Sequence, residues 1–298
     1  MTEPMPYFGE LLSLVTALVW AVAVVLFKKS GEKVHPIALN LFKNLFAALL
    51  FSLTFLAISY PLWRKAPAGD YLLLILSGAI GIGIADTVFF HSLNLLGAGL
   101  SSIVDCLYSP FIIILSTFWL GERLGALQLA GVGLILGAVL LVSAGRGERR
   151  ISRHDLHWGI VWGVVAMALM AVGIIMVKRL LERSPVLWVT GIRLAGGTAV
   201  GLATLPFFRK RREIVASLVR SADWRYVLPG SFVGTYLAMV LWLGGMKYAL
   251  ASTSSALNQT SNIFVFIMAV LFLKEEITVS RVAGIVIAVG GVFMVTFG

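Results

Sequence analysis

The chain has 298 residues, of which 59% are hydrophobic and 13% charged, and it carries a net charge of +10. A soluble domain has about twice that charge fraction, so a water-soluble enzyme or binding module is excluded as a first reading. The Lys and Arg residues sit between apolar stretches, not on one soluble face, which argues against nucleic acid and for contact with anionic lipid headgroups of a bilayer.

Ten apolar stretches follow one another, each close to the length of about 20 residues that crosses a bilayer. The first, Gly9–Phe27, has Trp20 midway; no small-residue cleavage site follows it, so it reads as a retained helix and not a signal peptide. Ile37–Tyr60 contains Lys43, and Tyr71–Leu95 contains Asp86 and His91. Charges at bilayer depth cost at least about 2.5–3.5 kcal/mol on insertion scales and mark substrate paths or internal ion pairs. His91 is either a proton relay or a packing residue beside Phe89 and Phe90.

The fourth stretch, Ala98–Trp119, places Ser101, Asp105 and Tyr108 at helical spacing, so they share a face. Pro110 lacks an N–H and frees the carbonyl of Cys106. Irregular backbone at membrane depth is tolerated where it lines a cavity. After Leu124–Ala144 comes a polar, basic linker, 146–157, which separates a first unit (1–145) from a second (158–298). Trp158–Val177 is followed by Val186–Phe208, which carries Arg193. Next, Arg209–Arg212 with Ile214, Val215, Leu218 and Val219 has the spacing of a short helix lying in the membrane interface. Trp224–Tyr248 brings Tyr236 and Trp242 as candidate cavity walls, Ser252–Leu273 brings Asn258, Gln259 and Asn262, and Val279–Phe297 closes the chain.

The second five stretches repeat the first five. An offset of 150 aligns Lys28-Lys29 with Lys178-Arg179 and Lys43 with Arg193; an offset of 153 aligns Asp105 with Asn258, Ser109 with Asn262 and Glu122 with Glu275. A unit of five crossings exits opposite to its entry, so its copy must be inverted. The expected fold is therefore an all-α integral membrane protein of ten transmembrane helices, built as two inverted five-helix repeats around a midplane site. Small-xxx-small pairs (Gly133/Gly137, Gly159/Gly163, Gly197/Gly201, Gly230/Gly234) read as internal helix packing first.

Trp20 in the first stretch, Ser109-Pro110 in the fourth, Gly121-Glu122 at its end and Lys274-Glu275-Glu276 at the equivalent place resemble the drug/metabolite transporter superfamily, specifically its EamA-type ten-helix exporters. The resemblance runs over nearly the whole chain. It implies export of a small metabolite across the cell (inner) membrane, proton-coupled or facilitated, with cytoplasmic termini. Basic residues concentrate in loops on the side opposite the termini, which by the positive-inside rule favours the reverse orientation. The second half departs from the first at Ile263, where Pro110 stands, and at Met170, where Trp20 stands, so the halves are not equivalent.

The expected cavity is lined by Trp20, Lys43, Asp86, His91, Asp105, Tyr108, Arg193, Tyr236, Trp242, Asn258, Gln259 and Asn262, with Pro110 as a kink. Paired acids and bases with amides and aromatics suit a small polar or amphipathic molecule such as an amino acid, with protons as a candidate coupling ion. No cofactor and no metal are implied. The single cysteine, Cys106, rules out an internal disulfide, and no His-Glu-x-x-His, Gly-x-Ser-x-Gly or phosphate-binding loop occurs, so an enzyme is disfavoured. A channel or a non-transporting scaffold stays as the alternative, and monomer and homodimer stay open.

Overall fold

The computed structural model describes residues 7–61, 64–121, 125–144 and 151–297. Glu122 and the linker residues 146–150 lie outside these. Every regular element among the described residues is helical. In chain order they are α1 (Phe8–Gly31), α2 (Pro36–Ala57), α3 (Ala68–Gly78), a π-helical turn (Ala79–Ile84), α4 (Ala85–Leu96), α5 (Ala98–Asp105), α6 (Tyr108–Leu120) and α7 (Ala126–Ala144). Then come α8 (Arg153–Ile175), α9 (Lys178–Glu182), α10 (Val186–Thr204), a 3₁₀ turn (Leu205–Phe207), α11 (Arg211–Ser221) and α12 (Trp224–Gly230). A second π-helical turn (Ser231–Leu237), α13 (Ala238–Tyr248), α14 (Ala251–Asn258), α15 (Ser261–Leu273) and α16 (Val279–Phe297) complete it.

Seven continuous helical runs among the described residues are long and apolar enough to cross a membrane: Phe8–Gly31, Pro36–Ala57, Ala68–Leu96, Ala98–Leu120, Arg153–Ile175, Val186–Phe207 and Trp224–Tyr248. The apolar runs Ala126–Leu141, Ser261–Leu273 and Val279–Met294 are shorter. In the ninth stretch the cause is a break at Gln259–Thr260, which divides it into α14 and α15.

Local chemistry sets the helix ends. His35 Nδ1 accepts from Ile37 N–H ahead of Pro36, Ser152 caps α8 through Asp155 N–H, and Asp223 caps α12 through Arg225 N–H. The turn between α4 and α5 needs Gly97 at φ 80°. Two lysines at matching places do the same work. Lys28 Nζ donates to the carbonyls of Leu93 (3.2 Å) and Asn94 (3.3 Å) at the end of α4; Lys178 Nζ donates to Met246 (2.6 Å) and Ala249 (3.1 Å) at the end of α13. A cation at a helix C-terminus meets both the orphan carbonyls and the helix dipole. At the opposite polarity, the Glu275 carboxylate accepts from Ala98 N–H (2.7 Å) and Gly99 N–H (3.1 Å) at the start of α5, and Arg281 holds it at 3.2 Å.

Helix pairings recur between the halves. α1 packs on α13 and α15, while α8 packs on α4 and α6. α10 packs on α3 and its π-helical turn, while α2 packs on the other π-helical turn, and α7 packs along α16. Three of the glycine pairs pack inside the chain as expected: Gly159/Gly163 against Leu96 and Val104, Gly197/Gly201 against Ile82 and Leu41, Gly230/Gly234 against Leu26, Phe27 and Ala23. Gly133/Gly137 is the correction: nothing lies within 4 Å of where their side chains would stand, because α7 turns that face outward. The tightest approach is α3 to α10, where a Cβ on Gly78 would land on the backbone of Arg193.

A methyl group at Gly78 cannot be accommodated by a rotamer change, because the neighbour is backbone. Gly78→Ala should therefore cost about 1–3 kcal/mol or more by overpacking. Gly133→Ala should be neutral or stabilise by up to about 1 kcal/mol through helix propensity. Melting of the two variants in the same detergent checks the contrast; equal melting temperatures would contradict this α3–α10 contact.

Candidate functional site

Two broken helices meet at the centre of the molecule. In the first break Pro110 offers no N–H to Cys106, and Cys106 N–H and Leu107 N–H turn back to the carbonyls of Ile103 (3.3 Å) and Val104 (3.0 Å). The second break has Ile263 in the proline's place, yet Thr260 N–H makes the matching tight turn to Leu257 (3.1 Å), and Asn262 N–H and Ile263 N–H extend it to Gln259 (3.0 Å) and Thr260 (3.1 Å). Side chains accompany it instead of a ring. Gln259 Nε2 donates to the Asp105 carbonyl (2.6 Å), and Asn262 Nδ2 donates to Gln259 Oε1 (3.0 Å) and Cys106 Sγ (3.3 Å). The amides of one break thus tie it to the other.

Between the breaks and the two π-helical turns lies a cavity of about 120 Å³, well above the ~10–15 Å³ that admits one water. Of the residues expected there, Trp20, Lys43, Asp86, Asp105, Tyr108, Arg193, Trp242, Asn258, Gln259 and Asn262 line it. Three do not. His91 points outward, with its ring 6.1 Å from Trp162, and it is Phe89, two residues earlier, that faces the cavity. Burial first, and His91 second, hold His35, in the turn before α2, below the usual imidazole range. Tyr236 shares its hydroxyl with Thr54 (2.6 Å) and packs on Phe51, 4.9 Å between ring centroids. Pro110 is buried beside the break without lining the cavity.

The cavity also has walls outside the expected set: Thr16, Phe89, Met167, Met170, Thr235, Met239 and Ser261. The repeat register is the signal that finds several of them, since Met170 aligns with Trp20, Met239 with Asp86 and Ser261 with Tyr108.

The charges differ in their company. Lys43, 3% exposed, is 2.6 Å from Asp86 Oδ2, donates to Asn44 Oδ1 at 3.0 Å and lies 5.7 Å from the Phe90 ring centroid. Asn44 donates to Asn40 Oδ1 (3.1 Å), and Asn40 Nδ2 faces the carbonyls of Ile82 (3.1 Å) and Gly83 (2.9 Å) at the π-helical turn. Arg193, 1% exposed, donates from Nε to Ser77 Oγ (2.8 Å) and stacks over Trp242 at 5.6 Å. Ser77 passes its own proton to the Gly173 carbonyl. Asp105 is 7% exposed and its carboxyl group has no ion pair or hydrogen-bond partner among the described residues. The set offers fixed charge of both signs, amides and aromatic faces to a small solute.

Removing one member of a buried ion pair strands the other at about 3–5 kcal/mol. Lys43→Met should lower stability by that order, and adding Asp86→Leu should restore most of it, as read by unfolding of the single and double variants in detergent. A double variant as unstable as the single would mean that the pair is not the relevant contact.

The family model described as "EamA-like transporter family" matches residues 7–144 and 157–297. An Archaeoglobus fulgidus protein named "Uncharacterized transporter" is 25% identical over 288 residues, covering 94% of each chain. A Salmonella typhimurium protein named "Probable amino-acid metabolite efflux pump" is 26% identical over 300 residues, covering 96% of this chain and 94% of that one. A solved crystal structure with 18% identity superposes with a TM-score of 0.68 over 97% of this chain and 96% of the other.

Proposed function

The chain belongs to the EamA-like transporter family, and from that membership we propose that it is a secondary transporter that exports a small polar or amphipathic metabolite, an amino acid or close relative, by alternating access. The multi-pass chain is placed in the cell (inner) membrane on this reading, with α11 resting on anionic headgroups through Arg211 and Arg212. Ten crossings arranged as two inverted five-helix units are part of the same proposal. Support comes from the duplicated family match, the paired helix contacts, the lysine caps at Lys28 and Lys178, and the π-helical turns starting at Ala79 and Ser231.

One observation carries the reading: a charged cavity where two helices break, lined by Asp105, whose carboxyl group has no ion pair among the described residues. A carboxylate without a counter-charge in an apolar medium is costly. Its need is met by a substrate amine or by a proton, and either coupling makes Asp105 the group that senses occupancy. Backbone breaks at the same depth supply the hinge that lets one side open as the other closes. The name of the Salmonella relative supports the substrate class. A channel or a non-transporting scaffold is the second reading. A carrier saturates and exchanges labelled for unlabelled substrate across proteoliposome membranes, and a channel does neither.

Asp105→Asn keeps the size of the side chain and removes the charge. It should express and melt as the parent does and lose most of its uptake, with the remainder insensitive to pH. Unchanged uptake with unchanged pH dependence in proteoliposomes removes Asp105 from the mechanism.

A further inference from the structure

At the offset of 153 that pairs Asp105 with Asn258, the residue matching Asp86 is Met239, while Lys43 and Arg193 pair at the offset of 150. The first half therefore holds a buried cation with its acid, 2.6 Å apart, and the second half holds a buried cation with a thioether in the acid's place. The consequence is visible at Arg193. Its Nε is occupied by Ser77 Oγ at 2.8 Å, and its plane lies over Trp242. Its Nη1 is buried without a hydrogen-bond partner among the described residues, although Arg193 lines the cavity. The Tyr108 hydroxyl is likewise buried without a hydrogen-bond partner among the described residues. Asp86 is engaged with Lys43.

A guanidinium held by one edge and stacked on one face presents its remaining N–H groups in a fixed direction, the arrangement that recognises a carboxylate. We propose that Arg193, assisted by Tyr108, is a subsite for a monoanionic group, the carboxylate of the transported molecule. The proposal rests on the transporter reading above and sharpens it: the cargo must bring the anion that position 239 does not supply. Met167, Met170 and Met239, which line the same cavity, leave an adaptable apolar wall for the rest of the molecule. A free monovalent anion bound alongside the cargo shares this chemistry, and the experiment separates the two.

Purified protein in detergent, in a buffer whose only anion is a bulky sulfonate, is titrated with sodium acetate, sodium chloride, L-leucine and L-leucinamide, and binding is read from the shift in melting temperature. In the parent, acetate should bind at least about tenfold more tightly than chloride, and leucine at least about tenfold more tightly than leucinamide, since a site built for a group rejects the analogue lacking it. Arg193→Gln should abolish both preferences and Arg193→Lys should retain part of them. Met239→Asp retains the arginine and supplies the missing acid, so it should stay folded and lose both preferences even if Arg193→Gln does not fold.

Chloride binding as well as acetate, with leucine and leucinamide alike, overturns the cargo carboxylate in favour of a free anion. Acetate bound through Arg193 with no response to leucine upholds the subsite and overturns the amino-acid reading. Leucine and leucinamide bound equally by the parent and by Arg193→Gln uphold transport and overturn the subsite. Responses to all four probes that are the same in parent, Arg193→Gln and Met239→Asp also overturn it.

Discussion

Hydrocarbon offers no hydrogen bonds, so every peptide group at membrane depth must find its partner inside the protein. That constraint explains the placement of the irregular backbone. The two helix breaks and the two π-helical turns surround one cavity, and polar side chains meet the groups they disturb. Asn40 serves Ile82 and Gly83 at one turn, while Gln259 and Asn262 bind across the two breaks to Asp105 and Cys106. The same amides that satisfy the backbone give the cavity its polarity. Packing and recognition are therefore not separate layers here: the residues that make the irregular segments tolerable are the residues a solute would meet.

The charges follow the same logic with less symmetry. Lys43 and Arg193 occupy matching positions, but their surroundings have diverged. One is closed by Asp86 and a chain of asparagines; the other has a serine and an indole face. Asp105 and Asn258 have diverged likewise, as carboxyl and amide on one pattern. The two halves share a sequence register and differ in which of its members carry charge. Only a cavity that spans both halves sees all four of these groups at once.

Much of this was legible in the sequence, and the reasons are specific. Asp105, Lys43 and Arg193 stood out because charge is rare in an apolar run, and the amides of the ninth stretch stood out because their spacing matched Asp105. The break at Pro110 follows from a missing N–H. The break at Gln259 does not, because it lacks a proline and its partners are 154 and 156 residues away in sequence. The π-helical turns gave no signal: Ala-Ile-Gly-Ile-Gly-Ile and Ser-Phe-Val-Gly-Thr-Tyr-Leu read as ordinary apolar helix. An added residue per turn rotates what lies within and beyond it, so face assignments drift, as for Tyr236 inside the second turn; His91 lies five residues past Asp86 in one α-helix, a spacing that already puts the two on different faces. Methionines escaped because polarity was the filter, and a thioether wall looks like core.

The bond from Glu275 to the start of α5 has a consequence for how the chain is made. Ala98 N–H and its acceptor are 177 residues apart. At roughly 5–20 residues per second on the ribosome, α5 reaches the bilayer about 9–35 s before the carboxylate that caps it has been synthesised. Until then the first amides of α5 lack their final partner. The first half of the chain is thus a provisional structure during biogenesis, and the last quarter of the polypeptide completes it.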